Sequence, residues 1–373
     1  MRKSMESLWK ETFGDSDAYV KTVFDSYFKP ENVAYREKEG ELESALLGIP
    51  YSFESSSGKC LRGLYLCGLS TVSEARRRGY MSALLEDINA RAQERGFDFT
   101  FLIPASEGTR SYYADRGYHD AFFKVKEHYV RGHKFGGEIV DLTRYNGSDL
   151  ESAISFLTAQ EHRRKGRDSE FKLFHDTADW KAVLQEALVS NSPVYIGREN
   201  GEIAGMAFSE KKDRTIEIKK IYAKSPETEK GLIAVISAAH PQCNIDVVKE
   251  LDQALKTPAN QLWSPFYAQT NAKTAEYEDV AEIEEPYNPA LGAWPMGMIR
   301  IFNIRKLLRY TCINPADSCP EKNQNSIEEQ LKGFSEAELV KIILRRPVGE
   351  NSDALEKILA LPELSFSMSL LLE

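Results

Sequence analysis

The residues with the clearest chemical purpose are Arg76-Arg77-Arg78-Gly79-Tyr80-Met81. They follow a run of strand character at 61–72 (LRGLYLCGLSTV) and a polar Ser73-Glu74-Ala75 turn. After them Met81, Leu84, Leu85 and Ile88 recur at i, i+3, i+4 and i+7, the period of a helix, which Gly96 is placed to end. A buried strand that turns through glycine into a helix start is an anion trap. The first N–H groups of the helix have no internal partner, and the helix dipole adds partial positive charge. Gly79 lets the backbone approach a ligand, and the arginines add bidentate donors. Cations at a helix N-terminus oppose the dipole, so their presence points to a bound anion of the size of a pyrophosphate. The plain alternative is three solvated arginines decorating a helix start. A second basic run, Arg163-Arg164-Lys165-Gly166, lacks the preceding buried strand and reads as a solvated loop.

Downstream lies Ala105-Ser106-Glu107-Gly108, then Tyr112-Tyr113-Ala114-Asp115-Arg116-Gly117-Tyr118. Ser106 is suited to cap a short helix that opens with Glu107 and is closed by Gly117. Either tyrosine of this helix could donate a proton, and either could simply pack. The six histidines show no HExxH spacing, and the five cysteines form no CxxC pair, so no metal site is expected.

The elements that must hold these residues are legible in outline. The chain has 373 residues, enough for two or three domains, with 42% hydrophobic and 28% charged residues, a balance typical of folded proteins. A net charge of −9 disfavours nucleic acid and anionic membrane as partners. No signal peptide or 18-residue apolar run stands out, and an odd cysteine count suits a reducing compartment, so a cytoplasmic location is expected. Strands are expected at 97–103 and 118–129. A meander is expected at 194–198, 203–210 and 215–223, its first turn made by Asn200-Gly201. The acidic stretch 258–285 reads as a linker. Beyond it come a strand at 296–302 and helices at 303–309, 335–344 and 352–361. Strands and helices alternating with hairpins indicate a mixed α/β (α+β) fold.

The run Arg76-Arg77-Arg78-Gly79-Tyr80-Met81 resembles the acetyl-CoA signature of GNAT acetyltransferases, R/Q-x-x-G-x-G/A after a strand. Met81 replaces its small last residue, and Ser73 stands where proline is frequent. The resemblance implies acetyl-CoA as cosubstrate. The main chain of Leu69, Ser70 and Thr71 would meet its pantetheine arm, its phosphates would sit on Arg77, Arg78, Gly79, Tyr80, Met81 and Ser82, and Ser106 and Glu107 would also bind it. Tyr113, four residues before Gly117, matches the general acid of many members; Tyr112 is the second choice. The order of segments is similar to the enhanced intracellular survival family. That implies two tandem GNAT-like domains at 1–136 and 137–282, followed by a sterol-carrier-protein-like α/β domain at 283–373. In the second copy the turn Ser225-Pro226-Glu227-Thr228-Glu229 is acidic and is expected to bind no pyrophosphate. In that family the terminal carboxylate acts as base, which directs attention to Glu373. The implied reaction is N-acetylation of a primary amine, on a small molecule or a peptide, by direct attack in a ternary complex. A homo-oligomer is compatible with the sequence. The rival readings are a catalytically silent CoA-binding module and an apolar-ligand carrier.

Overall fold

The computed structural model describes residues 1–56, 58–136, 141–163, 170–190, 192–250, 294–302, 339 and 365–367. Within them the elements run α1 (Arg2–Phe13), α2 (Asp17–Tyr27), β1 (Val33–Lys38), β2 (Glu41–Glu54), β3 (Cys60–Thr71), α3 (Tyr80–Glu94), β4 (Phe99–Leu102), α4 (Glu107–Ala114) and β5 (His119–Tyr129). There follow β6 (Asp141–Arg144), α5 (Leu150–Arg163), β7 (Glu170–Phe174), α6 (Thr177–Val189), β8 (Val194–Glu199), β9 (Glu202–Lys212), β10 (Thr215–Ala223), α7 (Pro226–Ala239) and β11 (Asn244–Glu250). The last are β12 (Trp294–Ile301) and β13 (Ser365–Ser367). The expected helices at 303–309 and 352–361 lie outside the described residues, as does the 258–285 linker; of 335–344 only Leu339 is described.

Alternation along the strands decides which helices cover which face. Leu47, Tyr65 and Phe101 point to the side covered by Trp9, Val20 and Phe24 of α1 and α2. Their neighbours Leu46, Leu64 and Leu102 point the other way, onto Leu84, Leu85 and Ile88 of α3 and Tyr113 of α4. The same logic repeats later. Val194, Ile196 and Met206 pack on α5 and α6, whereas Tyr195, Ala207 and Ile218 pack on α7. The β8–β9 hairpin turns through Asn200 and Gly201, both with positive φ (52° and 83°), as the Asn-Gly pair predicts.

The strands form one sheet in the order β13-β7-β2-β3-β4-β12-β5-β11-β10-β9-β8-β6, with β1 beside β2. Two parallel strand–helix–strand units stand out: β3–α3–β4 and β10–α7–β11. The strand expected at the head of the third segment, β12, pairs antiparallel with both β4 and β5. It is therefore built into the sheet of the first unit, across about 160 residues of chain, and its Met298 and Ile299 are buried. No helix of the described residues is long and apolar enough to cross a membrane.

Candidate acyl-donor site

β3 is paired on one side and half open on the other. Against β2 it is antiparallel over its whole length, from Cys60 to Thr71. Against β4 it is parallel only at Gly63, Leu64 and Tyr65. From Leu66 onward the β4 side has no strand partner among the described residues. The Val72 N–H donates to the Glu43 carbonyl (3.0 Å), on the β2 side. Alternation then turns the main-chain groups of Leu69 and Thr71 to the open side. Consistent with this, Arg76 Nε donates to the Thr71 carbonyl (3.1 Å). Buried Ser44 fixes the opposite side, donating from Oγ to the Ser70 carbonyl (3.1 Å). A bulge in the register takes in Gly68 and Leu69, between the pairs Leu47–Cys67 and Ala45–Ser70, and Gly68 has φ +60°. A Cβ at Gly68 would lie 2.2 Å from the Trp9 ring, so only glycine lets α1 close over this bend.

At the end of β3 a short 3₁₀ turn (Ser73–Ala75) leads to α3, whose N-cap is Gly79 at φ 79°. No side chain caps this helix. The Ala83 N–H is the first to find a helical acceptor, the Gly79 carbonyl (3.1 Å), which leaves Tyr80, Met81 and Ser82 with outward N–H groups. Arg77 also has a positive φ, 62°. That conformation costs a side-chain-bearing residue about 1–2 kcal/mol. Strain of this kind concentrates where a loop is shaped for a ligand. A Cβ at Gly79 would meet nothing within 4 Å, so the space before the helix is open.

That space is a cavity of about 390 Å³ lined by Thr71, Ala75, Arg76, Arg77, Gly79, Tyr80, Met81, Ser82, Tyr112 and Arg116. Of the residues the sequence singled out, Thr71, Arg77, Gly79, Tyr80, Met81 and Ser82 meet here. Leu69 and Ser70 continue along β3. Arg78 is exposed and outside the lining. Ser106 and Glu107 also lie outside it. The Ser106 hydroxyl accepts from Thr109 N–H (3.2 Å) in a capping box, and Glu107 pairs with Arg110 (3.2 Å). Glu373 lies outside the described residues.

The two tyrosines of α4 part company. Tyr112 lines the cavity. Tyr113 is 8% exposed, packed among Leu84, Leu85, Ile88 and Tyr118, and burial pushes its phenol above the ordinary range. Its hydroxyl makes no hydrogen bond to a described residue. Sequence reasoning missed Arg116 as a lining residue; its i+4 spacing from Tyr112 was the available signal. Among the described residues no group of three or more His, Cys, Asp or Glu side chains is arranged to hold a metal ion.

An open strand beside an uncapped helix start, with arginines around a cavity, can receive an anionic ligand extended along the strand. Residues 3–121 match the family model of the acetyltransferase (GNAT) domain. The N-terminal part of the chain thus carries a domain of the acetyltransferase (GNAT) type. Solved structures of similar fold include a GCN5-related N-acetyltransferase from Anabaena variabilis, at 15% identity and TM-score 0.55, covering 83% of this chain and 72% of that one. Eis1 from Mycobacterium abscessus matches at 11% identity and TM-score 0.52, covering 83% and 73%. A conserved Enterococcus faecalis protein matches at 13% identity and TM-score 0.55, covering 83% and 72%. At these identities the likeness is one of fold. No curated protein matches the chain in sequence.

Proposed function

We propose that the chain is an acetyl-CoA-dependent N-acetyltransferase that acetylates a primary amine by direct attack in a ternary complex. One observation carries the reading: the uncapped start of α3 opens into a cavity bearing Arg76 and Arg77, and that cavity meets the unpaired edge of β3 at Thr71. The N–H groups of Tyr80, Met81 and Ser82, with Arg77, would hold the pyrophosphate. The open edge from Leu69 to Thr71 would align the pantetheine arm as an added strand, and an N–H there would polarise the thioester carbonyl. Tyr113 would protonate the departing sulfur. Direct attack asks for no nucleophilic side chain. The two parallel strand–helix–strand units, β3–α3–β4 and β10–α7–β11, support reading residues 1–136 and 137–282 as tandem GNAT-like domains.

The test is calorimetry with CoA and acetyl-CoA. Parent protein should bind with a Kd of about 1 μM or tighter, near −8 kcal/mol. Gly79→Glu fills open space with a side chain and a negative charge, and should weaken binding by at least about tenfold. A folded Gly79→Glu variant that binds like the parent would place the donor elsewhere.

A further inference from the structure

The cavity has a second wall that the signature motif does not include. Arg116 donates from Nε (3.1 Å) and Nη2 (2.8 Å) to Ser82 Oγ, and from Nη1 (2.6 Å) to the Tyr112 carbonyl. Its guanidinium lies 3.5 Å over the Tyr112 ring. The Ser82 and Tyr112 hydroxyls are 3.0 Å apart. A serine hydroxyl has two acceptor positions and one proton. With Arg116 donating twice to Ser82 Oγ, the arrangement suits Ser82 as donor to the Tyr112 oxygen, a contact in which either hydroxyl can give the proton. With Ser82 as donor, the Tyr112 O–H is left to donate, as are two of the five guanidinium N–H groups of Arg116. Ser82 stands at the third position of α3, inside the first turn. The lock therefore fixes a charge and a hydroxyl against the turn whose N–H groups are free.

The charge is offset only in part, by Glu74 near Arg76 and Glu86 near Arg116, both outside the lining. The lining holds Arg76, Arg77 and Arg116 and no carboxylate, and none of the three forms an ion pair among the described residues. Nearby Glu86 is already engaged by Arg300 at 2.8 and 3.2 Å. In a chain of net charge −9, this concentration of cations around one cavity calls for an anion. The opposite end of the cavity, at Thr71, leads along β3. An acyl donor laid on β3 therefore turns its nucleotide half toward α4.

We propose that Arg116 and Tyr112, held by Ser82, form a phosphate-reading clamp for the nucleotide half of the donor. The clamp makes the enzyme select acyl groups carried on CoA over the same groups carried on pantetheine alone. It rests on the donor-site reading given above. Three ligands separate the sources of the phosphate: CoA, dephospho-CoA, which lacks the 3′-phosphate, and pantetheine, which lacks both phosphate groups and adenosine. Affinities are measured on full-length parent, Arg116→Gln, Arg116→Lys, Tyr112→Phe and Gly79→Glu proteins, by calorimetry for the nucleotides and NMR titration for pantetheine.

Arg116→Gln should lose about ten- to hundredfold in affinity for CoA and leave pantetheine unchanged. Arg116→Lys should recover part of the loss, since lysine keeps the charge but not the fork. Tyr112→Phe should lose a smaller factor, about three- to tenfold. Loss for CoA but not dephospho-CoA assigns the clamp to the 3′-phosphate, and equal loss for both assigns it to the pyrophosphate. A fall in pantetheine affinity by the same factor would show a distorted site and overturn the clamp. If Gly79→Glu abolishes CoA binding while Arg116→Gln and Tyr112→Phe bind like the parent, the clamp alone fails. If Gly79→Glu also binds like the parent, the donor-site reading fails with it.

Discussion

At the scale of single residues, α4 gives two adjacent tyrosines different surroundings. Consecutive helical positions are about 100° apart, so Tyr112 and Tyr113 cannot share a face. Tyr112 turns to the cavity, and Tyr113 turns to the core, its ring 5.4 Å from Tyr112 and 6.0 Å from Tyr118. Burial raises the Tyr113 phenol, so it keeps its proton across the neutral range, as the proposed role of acid requires. Once an amine acceptor is known, Tyr113→Phe should lower single-turnover rates about 100-fold with donor affinity unchanged. Tyr112→Phe should do the reverse, weakening donor binding and sparing the rate at saturation. Single-turnover kinetics at saturating donor separates the two, and a Tyr113→Phe rate within about threefold of the parent would remove the acid from this position.

At the scale of elements, the two strand–helix–strand units explain why only one is read as a donor site. α3 begins without a side-chain cap, whereas α7 is capped by Ser225, whose hydroxyl accepts from Thr228 N–H (3.1 Å). Thr228 Oγ1 in turn donates to Glu199 (2.8 Å), and Glu227 and Glu229 fill the first turn. The second helix start caps the Thr228 N–H, has no N–H at Pro226, and repels anions with Glu227 and Glu229. α6, which packs on α2 and α5, holds a different tension. Glu186 on α6 is buried, and burial pushes its carboxyl up to about 7, with Asp15 acting the same way and Lys219 against it. A folded-state pKa above the unfolded value near 4.5 means that the folded state keeps a proton the unfolded chain has released. Stability should therefore fall as pH rises from about 4.5 to 7, and the deficit persists above that. Glu186→Gln should be the more stable protein at pH 8, by on the order of 2–3 kcal/mol, and equal to the parent near pH 4. Urea unfolding at both pH values checks this; a variant less stable than the parent at pH 8 would contradict it.

For the whole molecule, β12 ties a late segment of the chain to its beginning. It fills the slot between β4 and β5, the Phe302 N–H donates to the Asp98 carbonyl (3.0 Å), and Arg300 reaches Glu86 on α3. Removing it bares two strand edges inside a sheet and uncovers Met298 and Ile299, whose burial is worth about 1.5–3 kcal/mol each. A fragment of residues 1–136, although it contains the whole matched family domain, should aggregate or bind CoA far more weakly than the full chain. Adding the 294–302 segment as a separate peptide should recover soluble, CoA-binding protein. Full CoA affinity in the fragment alone would show that β12 is dispensable.

What the sequence by itself determined is local. Gly79 before an apolar helix period, the Asn200-Gly201 hairpin and the Ser106 cap are each set by dihedral and hydrogen-bond needs within a few residues. The glycine-led start of α3 was legible for that reason, and so was the acidic turn that opens α7. Three things were decided only by tertiary structure. The apolar run of β12 shows a strand but not its partners, because pairing across about 160 residues depends on which edges the rest of the chain leaves open. The open edge of β3 depends on how far β4 runs beside it, a matter of register between separate strands. Arg116 became part of the cavity because α4 packs its last turn against the first turn of α3, placing a guanidinium on Ser82 from 34 residues away.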